Sequence, residues 1–277
     1  MSSKIAMAQI LVEGGQQKSN LARAVNRIRE AADLGCTFIV LPECMDLGWT
    51  HPSAHEHAQP IPGAHCQTLS DAASENEIHV VAGLVERDGE RLFNSAILIA
   101  PNGELLSLHR KINELSIAHD VYSIGDRLTV ADTELGKVAI NICADNFGDS
   151  QAISHVQARM GARLILSPSA WAVDADHDDE KEPYGKLWLD SYTELARLYD
   201  LTIVGVSNVG WLDAGPWSGR KVIGCSLAVG PGGEVLARGP YGDDADALIV
   251  VEAETVKPDA KGTDIAPMLK SKGYVGP

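Results

Sequence analysis

Cys143, Glu43 and Lys111 offer, between them, a nucleophile, a proton acceptor and a positive charge. Cys143 ends the apolar run Val138–Ile142 and precedes Asp145-Asn146 and Asp149-Ser150, pairs that favour the start of a helix over Ile153–Met160. A thiol at such a strand-to-helix elbow is expected to have its pKa lowered by the backbone N–H groups of the helix start, which can also bind a developing oxyanion. Glu43 comes one proline after the apolar run Phe38–Leu41, at the C-terminal end of a predicted strand, where open α/β sheets build their sites. Lys111 follows the predicted strand Glu104–Leu108 in the context LHRKIN. Each has an ordinary alternative reading. A strand-end Cys is a small buried hydrophobe, a loop Glu is solvated, and a Lys beside Arg110 is half of an exposed basic pair.

Chemistry between residues so far apart in sequence needs rigid elements to converge them. The segment Lys4–Val12 reads as a strand, and Leu21, Val25, Ile28 and Ala32 recur at helical spacing before Gly35. Strand Phe38–Leu41, a helix near Cys66–Asn76 and strand Ile78–Leu84 follow, and turns at Asp88-Gly89 and Pro101-Asn102-Gly103 delimit Arg91–Ala100 and Glu104–Lys111. The plan then repeats. Ser3–Ile10 resembles Gly136–Cys143, Leu34–Cys44 resembles Met160–Ala170, Glu77–Leu84 resembles Leu201–Asn208, and Pro101–Leu108 resembles Pro231–Arg238. A period of about 130 residues is too long for a solenoid, so the halves, 3–111 and 136–254, predict two facing sheets related by a pseudo-twofold with helices outside. We read residues 1–277 as a single domain, with a tail at 257–277 that lacks helical or strand periodicity.

LPE at Glu43, RK at Lys111 and IC-x-D at Cys143 occur in the order of the three motifs of the nitrilase superfamily of carbon–nitrogen hydrolases, which this chain resembles from Lys4 to Glu254. Arg91–Leu106, Leu166–Trp171, Leu201–Gly210 and Gly224–Ala237 are also similar to family segments. The resemblance implies an α/β fold, a four-layer αββα sandwich. It also implies that Glu43 acts as general base, Cys143 as nucleophile, and Lys111 with the backbone N–H of Ala144 as oxyanion donors, in a reaction that passes through a thioester and needs neither metal nor cofactor. The sequence departs from the family in several places. Many members carry a second Glu seven residues before a PG turn, and here that count back from Gly125 falls on Ala118, leaving Glu114 and Asp120 as the nearby carboxylates. Asn113 stands where a His is frequent, and Ala144 stands where an aromatic is frequent. No Arg stands in the ADNFGDS segment directly after Cys143, where hydrolases of N-carbamoyl amino acids place one, so a small neutral or cationic carboxamide is the expected substrate. A nitrilase, an N-carbamoyl amide hydrolase and a non-catalytic binding member of the same fold are the alternatives.

Asp145, Asn146, Trp49 and Trp171 are further candidates for the pocket, the two tryptophans with core packing as the equal alternative. His51, His55, His57 and His65 have no standard metal-site spacing, and Asp176, His177, Asp178 and Asp179 lack the Gly and Glu of a calcium loop, so no metal is expected. The net charge of −15 works against nucleic acid and anionic membrane surfaces as partners, and no apolar run approaches the roughly 18 residues of a membrane span. Five cysteines without a CxxC pair, and no signal-peptide pattern, point to a reducing cytoplasm. Members of the family commonly pair through helices, so a homodimer or larger assembly is expected.

Overall fold

The computed structural model describes residues 2–276. Its first half runs β1 (Ser2–Gln9), α1 (Gln17–Asp33), β2 (Phe38–Val40), α2 (Ala54–His57), α3 (Ala64–Glu75), β3 (His79–Asp88), β4 (Arg91–Ile99) and β5 (Leu105–Arg110). The second runs β6 (Val130–Thr133), β7 (Gly136–Ile140), α4 (Ala152–Arg159), β8 (Leu164–Ser169), β9 (Ala172–Val173), α5 (Lys186–Tyr199), β10 (Thr202–Ser207), β11 (Val209–Trp211), β12 (Lys221–Ile223), β13 (Leu227–Val229), β14 (Val235–Arg238), β15 (Ala247–Glu254) and α6 (Ile265–Ser271).

Alternation along the strands decides the layers. Ile5 and Met7 of β1, Phe38 and Val40 of β2, and Ala96 and Leu98 of β4 pack with Val138, Ile140, Leu164 and Leu166 of the other half. Their neighbours Ala6, Ala8, Ile39, Leu41, Ile97 and Ile99 face the opposite way, onto Leu21, Ala24 and Ile28 of α1 and Leu69 and Ala73 of α3. A period of two therefore sends one row to the sheet–sheet interface and the other to the helices. Leu21, Ala24, Ile28 and Ala31 form one buried stripe on α1, and full burial of each Leu or Ile contributes about 1.5–3 kcal/mol. Leu195, Ala196 and Leu198 of α5 cover the outer face of the second sheet. The result is a sandwich of two sheets between two layers of helices.

The two six-stranded sheets have the orders β15-β1-β2-β3-β4-β5 and β14-β13-β10-β8-β7-β6, and a small third sheet has the order β11-β12-β9. In each, three parallel strands (β1-β2-β3 and β7-β8-β10) continue into two antiparallel ones. This is the repeat visible in the sequence. The halves are not separable, however, because β15, the last strand, pairs antiparallel with β1 in the sheet of the first half. The tail is not without structure either: α6 lies within it, anchored by Ile265 and Leu269, which share a face at i, i+4. Two apolar residues in a seven-residue helix are too few to register as periodicity.

Candidate active site

Glu43 and Lys111 lie just past the ends of β2 and β5, and Cys143 lies three residues past β7. Two backbone contacts fix Glu43: its N–H donates to the Ser169 carbonyl on the facing sheet at 3.2 Å, and Gly83 of β3 lies beneath it. A Cβ at Gly83 would stand 2.5 Å from Glu43 Cα, so only glycine admits this approach. Lys111 is held from both sides, its N–H on the Asn94 carbonyl at 2.9 Å and its own carbonyl on the Gly125 N–H at 2.8 Å. Cys143 has φ 43°, left-handed and strained for a residue with a side chain.

The three side chains form one buried cluster, with Glu43 and Lys111 each 1% exposed and Cys143 7%. Lys111 Nζ donates to Glu43 Oε1 at 2.7 Å and stands 3.6 Å from Glu114 Oε2. Burial opposes the Lys111 ammonium, but the Glu43 and Glu114 carboxylates outweigh it and hold its pKa well above the usual lysine value. Burial pushes the Glu114 carboxyl up to about 7 against the pull of Lys111. The Cys143 thiol, within hydrogen-bonding reach of Glu43, is pushed far above the usual thiol value by burial and by that carboxylate, with Lys111 and the Ala170 backbone pulling the other way. This direction corrects the expectation of a lowered thiol pKa. The helix start is not at the elbow: two 3-10 turns, Cys143–Asn146 and Gly148–Ser150, precede α4. A protonated resting thiol needs a base at the moment of attack, and the Glu43 carboxylate is in place to be one.

Of the two carboxylates that could stand in for the second Glu, Glu114 is in the cluster and Asp120 is exposed. Asp145 and Asn146 do not present their side chains to a pocket. Asp145 Oδ1 accepts the N–H groups of Ile112 and Asn113, and Oδ2 accepts that of Ile142 and the ring of buried His109 at 2.8 Å. Burial favours its neutral form, yet His109 and these amides hold its pKa below the usual carboxylate value. Asp145 thereby ties the Lys111 loop to the Cys143 elbow. Asn146 is spent on Asn141, Ser167 and the Cys143 carbonyl. Asn113 donates to the carbonyl of buried Ala144 at 2.7 Å. Polar residues after a strand read as pocket lining in the sequence because several of their partners, among them His109, Ile112 and Ser167, are remote in the chain.

Trp171 is beside the cluster and Trp49 is not. Trp171 stacks on Trp188 at 4.9 Å and packs in the core group that contains Cys143, with its indole N–H buried and unpartnered. Trp49 packs on Trp217 in a separate group with Cys44 and Tyr122. Tyr184, whose hydroxyl accepts from Trp188 Nε1 at 3.0 Å, completes an aromatic cover beside Cys143. Sequence reasoning missed Tyr184, Trp188, His109 and Asn94. Of these, only Asn94, in the family-like segment Arg91–Leu106, and His109, two residues before Lys111 on the same strand face, had a signal in the sequence. Among the described residues no three His, Cys, Asp or Glu side chains converge as metal ligands. His65 pairs with Asp46, and His51 with Ser53. Also among the described residues, no helix is long and apolar enough to cross a membrane.

The family model for carbon–nitrogen hydrolases matches residues 4–255. The omega-amidase NIT2-A of Xenopus laevis is 29% identical over 246 residues, which cover 85% of this chain and 83% of that protein. The human omega-amidase NIT2 is 28% identical over 248 residues, covering 86% and 84%. Among solved structures, a carbon–nitrogen hydrolase from Helicobacter pylori G27 superposes with a TM-score of 0.80 at 19% identity, covering 98% of this chain and 92% of that one. An amidase from Nesterenkonia sp. superposes with a TM-score of 0.77 at 21% identity, covering 98% and 96%.

Proposed function

Because the chain belongs to the carbon–nitrogen hydrolase family, we propose that it hydrolyses the C–N bond of a small neutral or cationic carboxamide through a thioester on Cys143. The observation that carries this reading is the buried cluster: the Cys143 thiol beside the Glu43 carboxylate, with Lys111 Nζ 2.7 Å from the same carboxylate. The Cys143 S–H gives its proton to Glu43 as sulfur bonds to the amide carbon and the C=O π pair moves onto oxygen. Lys111 and the Ala144 N–H stabilise that oxyanion. Glu43 passes the proton to nitrogen, the C–N bond breaks, and ammonia or an amine leaves. Water then adds to the thioester carbon while Glu43 takes its proton. The tetrahedral adduct collapses with cleavage of C–S, the sulfur recovers a proton from Glu43, and the carboxylic acid leaves.

Glu114 takes the part of the family's second carboxylate, from a position three residues after Lys111. It keeps a negative partner 3.6 Å from the ammonium while Glu43 carries the proton. The charge preference is supported by the absence of a cation in the residues after Cys143, and by the engagement of Arg220 with Asp174 and of Lys221 with the His177 carbonyl. Five unbridged cysteines support a cytoplasmic setting. The test is ammonia release from a panel of small amides, nitriles and carbamoyl compounds by the wild type and Cys143→Ala. Amide turnover that disappears in the variant is expected. Equal turnover by the variant, or release only from nitriles, overturns the reading.

A further inference from the structure

We propose that Asn94 is a positioning residue that reserves one oxygen of Glu43 for the Cys143 thiol, and that Cys44 and Tyr122 hold its amide in the orientation this requires. The inference rests on the chemistry proposed above. Asn94, in β4, is 1% exposed, and its side-chain Nδ2 donates to Glu43 Oε1 at 2.6 Å. Lys111 Nζ donates to the same oxygen at 2.7 Å. Two donors fill the two lone pairs of Oε1. Oε2 is left to receive the thiol proton, and the carboxylate cannot rotate without breaking both bonds.

The other end of the Asn94 amide is equally committed. Its Oδ1 accepts from the Cys44 thiol at 3.4 Å, and Cys44 Sγ lies 3.7 Å from the Tyr122 hydroxyl. That hydroxyl oxygen accepts the Thr50 N–H at 2.9 Å, so its own hydrogen is free to point at the sulfur. The donors then run in one direction, from Thr50 through Tyr122, Cys44 and Asn94 to Glu43, and every member is buried. A flipped amide would put Oδ1 against the carboxylate and the NH2 group against the thiol hydrogen. Cys44 occupies this place at φ 45°, a left-handed conformation that its surroundings must impose. The ionisable groups facing Glu43 from the surrounding segments are Lys111, Glu114, Cys143 and Cys44.

The test reads proton abstraction directly. Site-resolved alkylation of Cys143 by iodoacetamide, followed by peptide mass spectrometry across pH, is measured beside kcat and KM on propionamide. Asn94→Ala should lower kcat by about 30-fold with KM within about threefold, because Glu43 loses its orientation rather than the substrate its site. The Cys143 alkylation rate should fall in parallel with kcat across the pH range, since both need the thiol proton to reach Glu43. Cys44→Ala should lower both rates by less, and Cys44→Ser, which keeps a donor, should restore them. If Asn94→Ala does not fold, the Cys44 pair decides alone. Unchanged alkylation and kcat, or Cys44→Ser indistinguishable from Cys44→Ala, overturn the inference. Glu43→Gln separates the two levels. Activity surviving in that variant refutes the proposed base itself, whereas its loss with normal Asn94 and Cys44 variants refutes only the positioning role.

Discussion

Replacing Glu114 by Gln should make the protein more stable at alkaline pH while leaving it unchanged at acid pH. Burial raises this carboxyl to about 7, whereas an unfolded chain releases the same proton near 4.5. The folded state therefore holds an extra proton between those values, so stability falls as pH rises through the window from 4.5 to 7 and levels off above it. A shift of that size corresponds to about 3 kcal/mol, most of which falls between pH 5 and pH 8. With an unfolding entropy of about 2.1 cal/mol/K per residue over this chain, that is about 4 °C in Tm. Gln has the shape of the protonated acid and no charge to lose, so Glu114→Gln should match the wild type at pH 5 and melt about 4 °C higher at pH 8. Calorimetric melts of both proteins at several pH values check this, because the difference between them cancels every other titrating group. Parallel Tm curves would refute the assignment of a strained, buried carboxyl to Glu114. Activity should move the other way, since the variant has no charge left to hold Lys111 once Glu43 is protonated.

Three further outcomes follow from the geometry. Gly83→Ala forces a Cβ to within 2.5 Å of Glu43 Cα, and should cost about 1–3 kcal/mol in denaturant melts and lower kcat well beyond what the lost stability explains; normal kcat in a folded variant would contradict it. Asp145→Asn turns an oxygen that meets backbone and His109 donors into an NH2 group, so about 2–4 kcal/mol of stability should go, with kcat falling as the Lys111 loop and the elbow separate. A neutral amide should exceed its matched α-carboxylate analogue in kcat/KM by on the order of 10²-fold, with the gap narrowing in salt. Equal kinetics would mean that Arg220 or Lys221 leaves its partner to reach the substrate.

The sandwich was legible in the sequence because each half carries the same strand signals, and burial on both faces made the central strands continuous apolar runs. The placement of β15 was not, since it pairs with β1 across almost the whole chain and nothing local marks a strand's partner. Glu43, Lys111 and Cys143 were legible through motifs. Glu114 was ambiguous because what puts it beside Lys111 is the course of the chain after β5, not a spacing that sequence alone resolves. Asp145 and Asn146 misled for a related reason. Residues that hold loops together have the same composition as residues that hold ligands, and only the donors supplied by Ile112, Asn113, Ile142 and Ser167 tell the two apart. The thiol shifts up rather than down because tight 3-10 turns and a carboxylate, not a helix start, stand at the elbow.

The thioester itself is the most direct test. Wild type mixed with excess propionamide, acid-quenched during turnover and digested, should give a Cys143 peptide heavier by one propionyl group, absent in Cys143→Ala and in enzyme without substrate. Continued turnover in Cys143→Ala, or the propionyl group on any other residue, would contradict the account.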